Sequence, residues 1–238
     1  KMLDTYFSKN TDLVILAGGK GTRIKKLLGK YPKPMLKFND KHFIQYIFNT
    51  FGRYNFKRII ILCGYRHKIL FKKFNGKVIN LTKIICLKEK KLLGTAGALS
   101  NLKKLKVKDF VLINGDTMFN INIDLLVSSL ANKKIGTVAL TRNFNQQSKK
   151  LNNLYLKDGT ISLKKNSPFM NAGIYFFKKN IFKYIVKKYY SLENDLLPKL
   201  IKQKKISGKI FSKFFIDIGS KYYFNIANKR LKKEFQKP

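Results

Sequence analysis

Apolar residues come in short unbroken runs in the first half of the chain. Residues 12–16 (DLVIL) lead into Ala17-Gly18-Gly19. A run without alternation reads as a strand buried on both faces, as in a parallel sheet. Residues 58–63 (RIIILC), ending at Gly64, and residues 110–113 (FVLI), ending at Asn114-Gly115-Asp116, have the same character. Residues 42–51 (HFIQYIFNTF) and 97–105 (GALSNLKKL) carry apolar side chains at helical spacing between these runs. Strand–helix–strand alternation predicts an α/β layered fold with a parallel sheet. The glycines fall at the carboxyl ends of the strands, where such sheets bind ligands.

The second half is less regular. Residues 136–141 (GTVALT) and 171–177 (NAGIYFF) read as strands. Residues 154–163, centred on Lys157-Asp158-Gly159, read as a hairpin. Residues 191–202 look helical, with Ser191 as the cap and Pro198 inside the pattern. Residues 214–218 form another apolar run around Asp217, and residues 222–233 read as a helix. With no repeat and no clear linker, residues 1–238 are expected to form a single domain, with 1–11 as an N-terminal extension.

Composition narrows the class. Hydrophobic residues at 45% and aromatics at 13% are too many for a disordered chain. No apolar run approaches the length of a membrane span, and the first residues carry no secretory signal. Cys63 and Cys86 alone exclude a disulfide scaffold and a four-cysteine zinc site. A soluble, reduced, cytoplasmic protein is expected. The net charge of +39, from 51 Lys+Arg against 12 Asp+Glu, first suggests a polyanion partner. However, the lysines form no block, and Lys, Asn, Ile and Phe are abundant together. That pattern points to a codon bias toward A and T, with nucleic acid bound only non-specifically through charge.

Candidate chemistry begins in Leu16-Ala17-Gly18-Gly19-Lys20-Gly21-Thr22-Arg23. Three glycines within four positions let the backbone approach a phosphate and aim N–H groups at it. Lys20 and Arg23 add cationic donors. The spacing is neither the dinucleotide fingerprint nor the P-loop. Pro32-Lys33-Pro34 holds Lys33 on a stiff extended segment. Asp116 ends a predicted buried strand, where a carboxylate can hold Mg²⁺ over a phosphate. Asp217 lies in Phe215-Ile216-Asp217-Ile218-Gly219, and a carboxylate there needs a partner or a metal. Two such acids in so basic a chain favour a shared metal over separate salt bridges with lysines.

These segments, taken in order, resemble the sugar-phosphate nucleotidyltransferases. The likeness runs through the glycine-rich turn, Pro32-Lys33-Pro34, Leu93-Gly94-Thr95-Ala96-Gly97, Asn114-Gly115-Asp116, Asn171-Ala172-Gly173, Ser191-Leu192-Glu193 and Ile216-Asp217-Ile218-Gly219. Within that family it is nearest to the D-glycero-α-D-manno-heptose 1-phosphate guanylyltransferases and their mannose 1-phosphate relatives. The resemblance implies a Rossmann-like mixed, mostly parallel sheet flanked by helices. It implies transfer of a nucleotidyl group from a nucleoside triphosphate, GTP in this reading, to a sugar 1-phosphate, with release of pyrophosphate, for surface polysaccharide synthesis.

The same resemblance assigns residues. Leu16, Ala17, Gly18, Gly19, Gly21, Thr22, Gly94, Thr95 and Gly115 would bind the nucleotide. Arg23 would bind the departing phosphates and Lys33 the reacting ones. Asp116 and Asp217 would hold Mg²⁺. Asn171, Gly173 and Glu193 would meet the sugar. Family members often place a Glu-Lys pair before the Asn-Ala-Gly strand; here Lys164-Lys165 stands there, and Lys165 takes the role on the sugar phosphate.

Glu89 speaks to the base. A carboxylate accepts from both N1–H and the 2-amino group of guanine, and has nothing to donate to O4 of uracil or thymine. The alternative is a surface acid among Lys88, Lys90 and Lys91. Mannose- or glucose-1-phosphate guanylyl-, uridylyl-, thymidylyl- and cytidylyltransferases remain alternatives. So does an inactive regulatory or polyanion-binding protein on the same fold. A homo-oligomer, or fusion to a phosphatase of the haloacid dehalogenase type, would fit the family.

Overall fold

The computed structural model describes residues 10–142, 154–164, 167–186, 188–219 and 221–235. By its internal contacts the chain divides into two compact units. The first comprises Lys1–Leu92, Ile113–Asn120 and Phe214–Pro238, and the second Leu93–Leu112 and Ile121–Lys213.

In the first unit, the apolar runs at Asp12–Leu16 and Ile59–Cys63 are parallel neighbours, with Leu13 opposite Ile59 and Leu16 opposite Leu62. Leu13, Val14, Ile15 and Ile59 to Leu62 are fully buried, as continuous runs require. Asp12 is buried at the start of its strand because Arg58 grips it bidentately, at 2.7 and 2.8 Å. The next parallel strand is Thr82–Lys88. Its burial alternates, and its three polar positions hide it from a search for unbroken apolar runs. The helix His67–Phe74 escaped the sequence reading for a similar reason: only Leu70 and Phe74 are buried on it.

Helix Phe43–Phe51 starts where His42 N–H donates to Gln45 Oε1 at 2.9 Å. It buries Phe43, Ile44, Ile47 and Phe51 completely. The C-terminal helix spans Lys221–Phe235, and its Phe224 ring lies 4.9 Å from that of Phe38. Phe215–Asp217 pairs antiparallel with Thr117–Phe119, which sets Asp217 opposite Thr117.

The second unit has a mixed sheet. Gly136–Arg142 runs antiparallel to Phe169–Phe177 on one side and parallel to Ile206–Ile210 on the other. The hairpin appears as Leu154–Lys157 and Thr160–Leu163. The helical reading of 97–105 shifts: the α-helix is Gly94–Ala98, followed by a 3₁₀ stretch, Leu99–Leu105. The element at Leu192–Lys202 opens as a π turn and becomes α-helical at Leu197. Pro198 sits in the first turn of that α-helical part, where the missing N–H costs nothing. Ser191 caps the element, its Oγ accepting from Asn194 N–H at 3.1 Å. No helix among the described residues is long and apolar enough to cross a membrane.

Candidate functional site

The first unit carries its candidate residues at the carboxyl ends of parallel strands. Leu16 and Ala17 belong to the scaffold. Leu16 O accepts from Gly115 N–H, and Ala17 N–H donates to Leu62 O, each at 2.9 Å. The glycine turn follows. Gly18 is packed so closely that a Cβ there would collide with Glu89 Oε1 and come within 3.3 Å of Gly64 N. Gly18 O accepts from Tyr65 N–H at 3.1 Å. Gly21 has φ +64, a left-handed conformation that favours glycine, and Leu28 Cδ1 lies where a side chain would go. Gly19, Lys20, Thr22 and Arg23 are exposed.

Glu89 is buried and not a surface acid, whereas its neighbours Lys88, Lys90 and Lys91 are exposed. Its N–H bonds Cys63 O at 2.9 Å, so the ends of two parallel strands carry it to the glycine turn. Gly64 is the residue the sequence reading underused. Any side chain on it would strike the backbone of Gly18, and its position at the end of an apolar run was the available signal.

Lys33, Asp116 and Asp217 form a charged cluster in the same unit. Lys33 Nζ lies 2.5 Å from Asp116 Oδ2. Ile218 N–H donates to Asp116 O at 2.9 Å, which ties the two acidic segments together. Asp217 Oδ1 accepts from Gly219 N–H at 2.7 Å. Burial and the nearby Asp116 carboxylate push the Asp217 carboxyl up to about 7, against Lys33, the Gly219 N–H and Arg23. Arg23 reaches this cluster: its Nη2 would stand 3.2 Å from a Cβ on Gly219. Two neighbouring carboxylates, only partly offset by one ammonium, form an oxygen donor set suited to a hard divalent cation. The salt bridge weighed in the sequence and the paired acids are therefore both present.

The second unit carries another constellation. Thr95 Oγ1 donates to Glu193 Oε2 at 2.8 Å and accepts from Leu192 N–H at 2.7 Å. Ser191 Oγ bonds the same Glu193 oxygen at 3.3 Å. The Thr95 hydroxyl is thus engaged with Glu193, a link the sequence gave no sign of. Asn171 is buried; its Nδ2 donates to Tyr175 Oη at 2.7 Å and its Oδ1 accepts from Gly173 N–H at 2.9 Å. Those bonds brace an irregularity in the strand pairing between Asn171 and Tyr175. Lys165 lies outside the described residues. Its neighbour Lys164 places Nζ 4.7 Å from the Tyr155 ring centroid.

The chain is similar to known proteins over most of its length. The family model for Nucleotidyl transferase matches residues 13–151. A D-glycero-alpha-D-manno-heptose 1-phosphate guanylyltransferase of Campylobacter jejuni is 32% identical over 223 residues, covering 90% of this chain and 99% of that relative. The crystal structure of HddC from Yersinia pseudotuberculosis superposes with a TM-score of 0.78 at 26% identity, covering 93% of this chain and all of that one. The same protein complexed with GMP-PN gives 0.75 at 26% identity, with equal coverage.

Proposed function

Because the chain belongs to the Nucleotidyl transferase family, we propose that it joins GTP to D-glycero-α-D-manno-heptose 1-phosphate and releases pyrophosphate. On this reading residues 1–238 act as one nucleotidyltransferase domain in the cytoplasm, in nucleotide sugar synthesis. The observation that carries the choice of base is Glu89, a carboxylate buried against Gly18 of the glycine turn. The names of the relatives support guanine and heptose.

The reaction needs no protein nucleophile. The sugar phosphate oxygen attacks the α-phosphorus in line, and pyrophosphate leaves. The protein contributes positioning and charge neutralisation. Backbone N–H groups of Gly18, Gly19 and Gly21 would line the triphosphate. Arg23 would grip its terminal phosphates, and Lys33, held by Asp116, would meet the reacting ones. Asp116 and Asp217 would hold Mg²⁺, which when bound offsets charge developing on the α-phosphate. Glu89 would accept from guanine N1–H and the 2-amino group. In the second unit, Glu193 would accept from sugar hydroxyls, oriented by Thr95 and Ser191. Asn171 would act through the strand geometry it braces, presenting Gly173 to the sugar. Lys165 would take the sugar phosphate.

The test is pyrophosphate release across a matrix of nucleoside triphosphates and sugar 1-phosphates. Turnover is expected with GTP and the heptose phosphate above all other pairs. Preference for UTP, dTTP or CTP removes the guanine assignment, and absence of turnover with every pair removes the reaction.

A further inference from the structure

Val78–Ile79 and Thr82–Lys88 form a hairpin in the first unit, with Val78 opposite Lys83 and Ile79 opposite Thr82. The turn between them is Asn80-Leu81, and both residues have positive φ, at 47 and 65. A two-residue hairpin turn of this kind asks for left-handed backbone at both positions, and Asn-Gly meets that demand best. Leucine is costly there, because its Cβ crowds the following carbonyl. Leu81 is also 85% exposed, and Val78 60%. Leu81 thus stands against both the backbone preference and the hydration of its position. Strain of this kind persists only where the surroundings over-determine it, and it gathers at functional sites.

The tip is held from below. Thr82 Oγ1 donates to Phe56 O at 3.3 Å, and Asn80 Nδ2 lies 3.2 Å from where a Cβ on Gly52 would stand. Its surroundings are cationic. Lys77 precedes Val78, Lys83 pairs with it, and Lys57 follows Phe56; all three are exposed. No acidic residue stands between Asp40 and Glu89 in the chain. Burial lowers the Lys73 pKa, and the charges of Lys37 and Lys77 lower it further, so positive charge is concentrated here. Thr82–Lys88 runs parallel to Ile59–Cys63, and that strand runs parallel to Asp12–Leu16. The tip lies at the amino ends of these strands, whereas the glycine turn and Glu89 follow their carboxyl ends.

We propose that this hairpin docks the protein on an anionic lipid surface, with Leu81 and Val78 entering the apolar boundary and Lys57, Lys77 and Lys83 meeting lipid phosphates. One apolar anchor or one basic patch alone holds weakly; the two together give reversible membrane binding. No spanning segment is needed. The contact does not depend on the base or sugar assignment, and it leaves the carboxyl ends of the strands uncovered. Nucleic acid would suit the lysines, but its backbone offers nothing to an aliphatic tip. A second copy of the chain would bring another charge of +39 against the first. The edge strand Val78–Ile79, two residues long, is also too short to recruit a strand from a neighbour. An acidic protein would need a pocket shaped for a protruding side chain, and a bilayer does not.

Co-sedimentation tests this. Sucrose-loaded vesicles of phosphatidylcholine, with and without an equal part of phosphatidylglycerol, are spun with the full chain. The chain is expected to follow the anionic vesicles only, and less so as salt rises. Leu81→Gly is expected to weaken the partition about tenfold, and Val78→Thr about threefold. Leu81→Gly is also expected to raise the melting temperature, because glycine takes positive φ without strain. Neither variant is expected to change turnover without vesicles. Absence of binding to anionic vesicles overturns the proposal. Unchanged binding in both variants reduces the contact to overall charge and overturns it too. A lower melting temperature in Leu81→Gly, with Val78→Thr binding as the wild type does, makes Leu81 a structural residue and has the same consequence. Leu81-dependent dimers in sedimentation velocity, or Leu81-dependent binding of duplex DNA or polyglutamate, assign the tip to another partner and overturn the lipid reading.

Discussion

Thr95 and Glu193 stand 98 residues apart in the chain and are joined by a 2.8 Å hydrogen bond from Oγ1 to Oε2. The same hydroxyl accepts from Leu192 N–H, so one small side chain holds both the backbone and the acid of the following segment. Thr95→Val would leave the Leu192 N–H unpaired and Glu193 without its main tether. A part-buried polar group left so costs roughly 1–3 kcal/mol. With Glu193 on the sugar, KM for the sugar phosphate is expected to rise about tenfold with little change in kcat, and Thr95→Ser to restore it. Steady-state kinetics of both variants check this; equal losses for nucleotide and sugar would place Thr95 elsewhere.

The two carboxylates predict opposite effects on activity and stability. Burial raises the Asp217 pKa, and the nearby Asp116 carboxylate raises it further. Asp217→Asn removes a like-charge repulsion, so the metal-free protein is expected to melt at a higher temperature at pH 8. Turnover with Mg²⁺ is expected to fall at least a hundredfold, since a charge clamp worth several kcal/mol is lost. Asp116→Asn is expected to lose turnover similarly, and it also breaks the bond to Lys33. Melting curves without metal and rates at saturating Mg²⁺ measure the two effects separately.

Glu89→Gln should relax the preference for GTP. The amide keeps one acceptor and gains a donor, so one guanine donor loses its partner, at roughly 1–3 kcal/mol. The ratio of kcat/KM for GTP over UTP, with one sugar phosphate, is expected to fall between about tenfold and a hundredfold. Gly18→Ala, which drives a Cβ into Glu89 Oε1, should lower GTP use in parallel. A ratio that does not move leaves Glu89 a structural acid.

His42 makes stability depend on pH. Burial lowers its pKa below 6.5, assisted by the Lys73 and Lys37 charges and opposed by the bond between Nδ1 and Met35 O, 2.7 Å long. Below about pH 6.5 the unfolded chain takes up a proton that folded His42 resists, so stability falls as the pH drops. Denaturant midpoints at pH 7.5 and 5.5 should show the loss, and His42→Gln should flatten that dependence.

Much of the molecule was determined by local sequence. Continuous apolar runs such as Asp12–Leu16 appear as buried strands with little change of boundary, because a strand covered on both faces tolerates no polar interruption. Ser191 caps as its residue type suggests, because capping needs only neighbours within one turn. The glycine-rich turn and Asp116 stand just past strand ends, as their sequence setting suggested, because an unbroken apolar run marks where a buried strand stops. Tertiary structure decided the rest. Whether Glu89 was a surface acid or a buried one depended on the ends of two other strands, which no local pattern encodes. The bond of Lys33 to Asp116 spans 83 residues, and among so many lysines nothing local marked which one would be chosen. The Thr95 hydroxyl likewise meets Glu193 only because folding brings the two together. Hydrophobic periodicity reports which face of an element is buried; it carries no information about which distant polar group will meet it there.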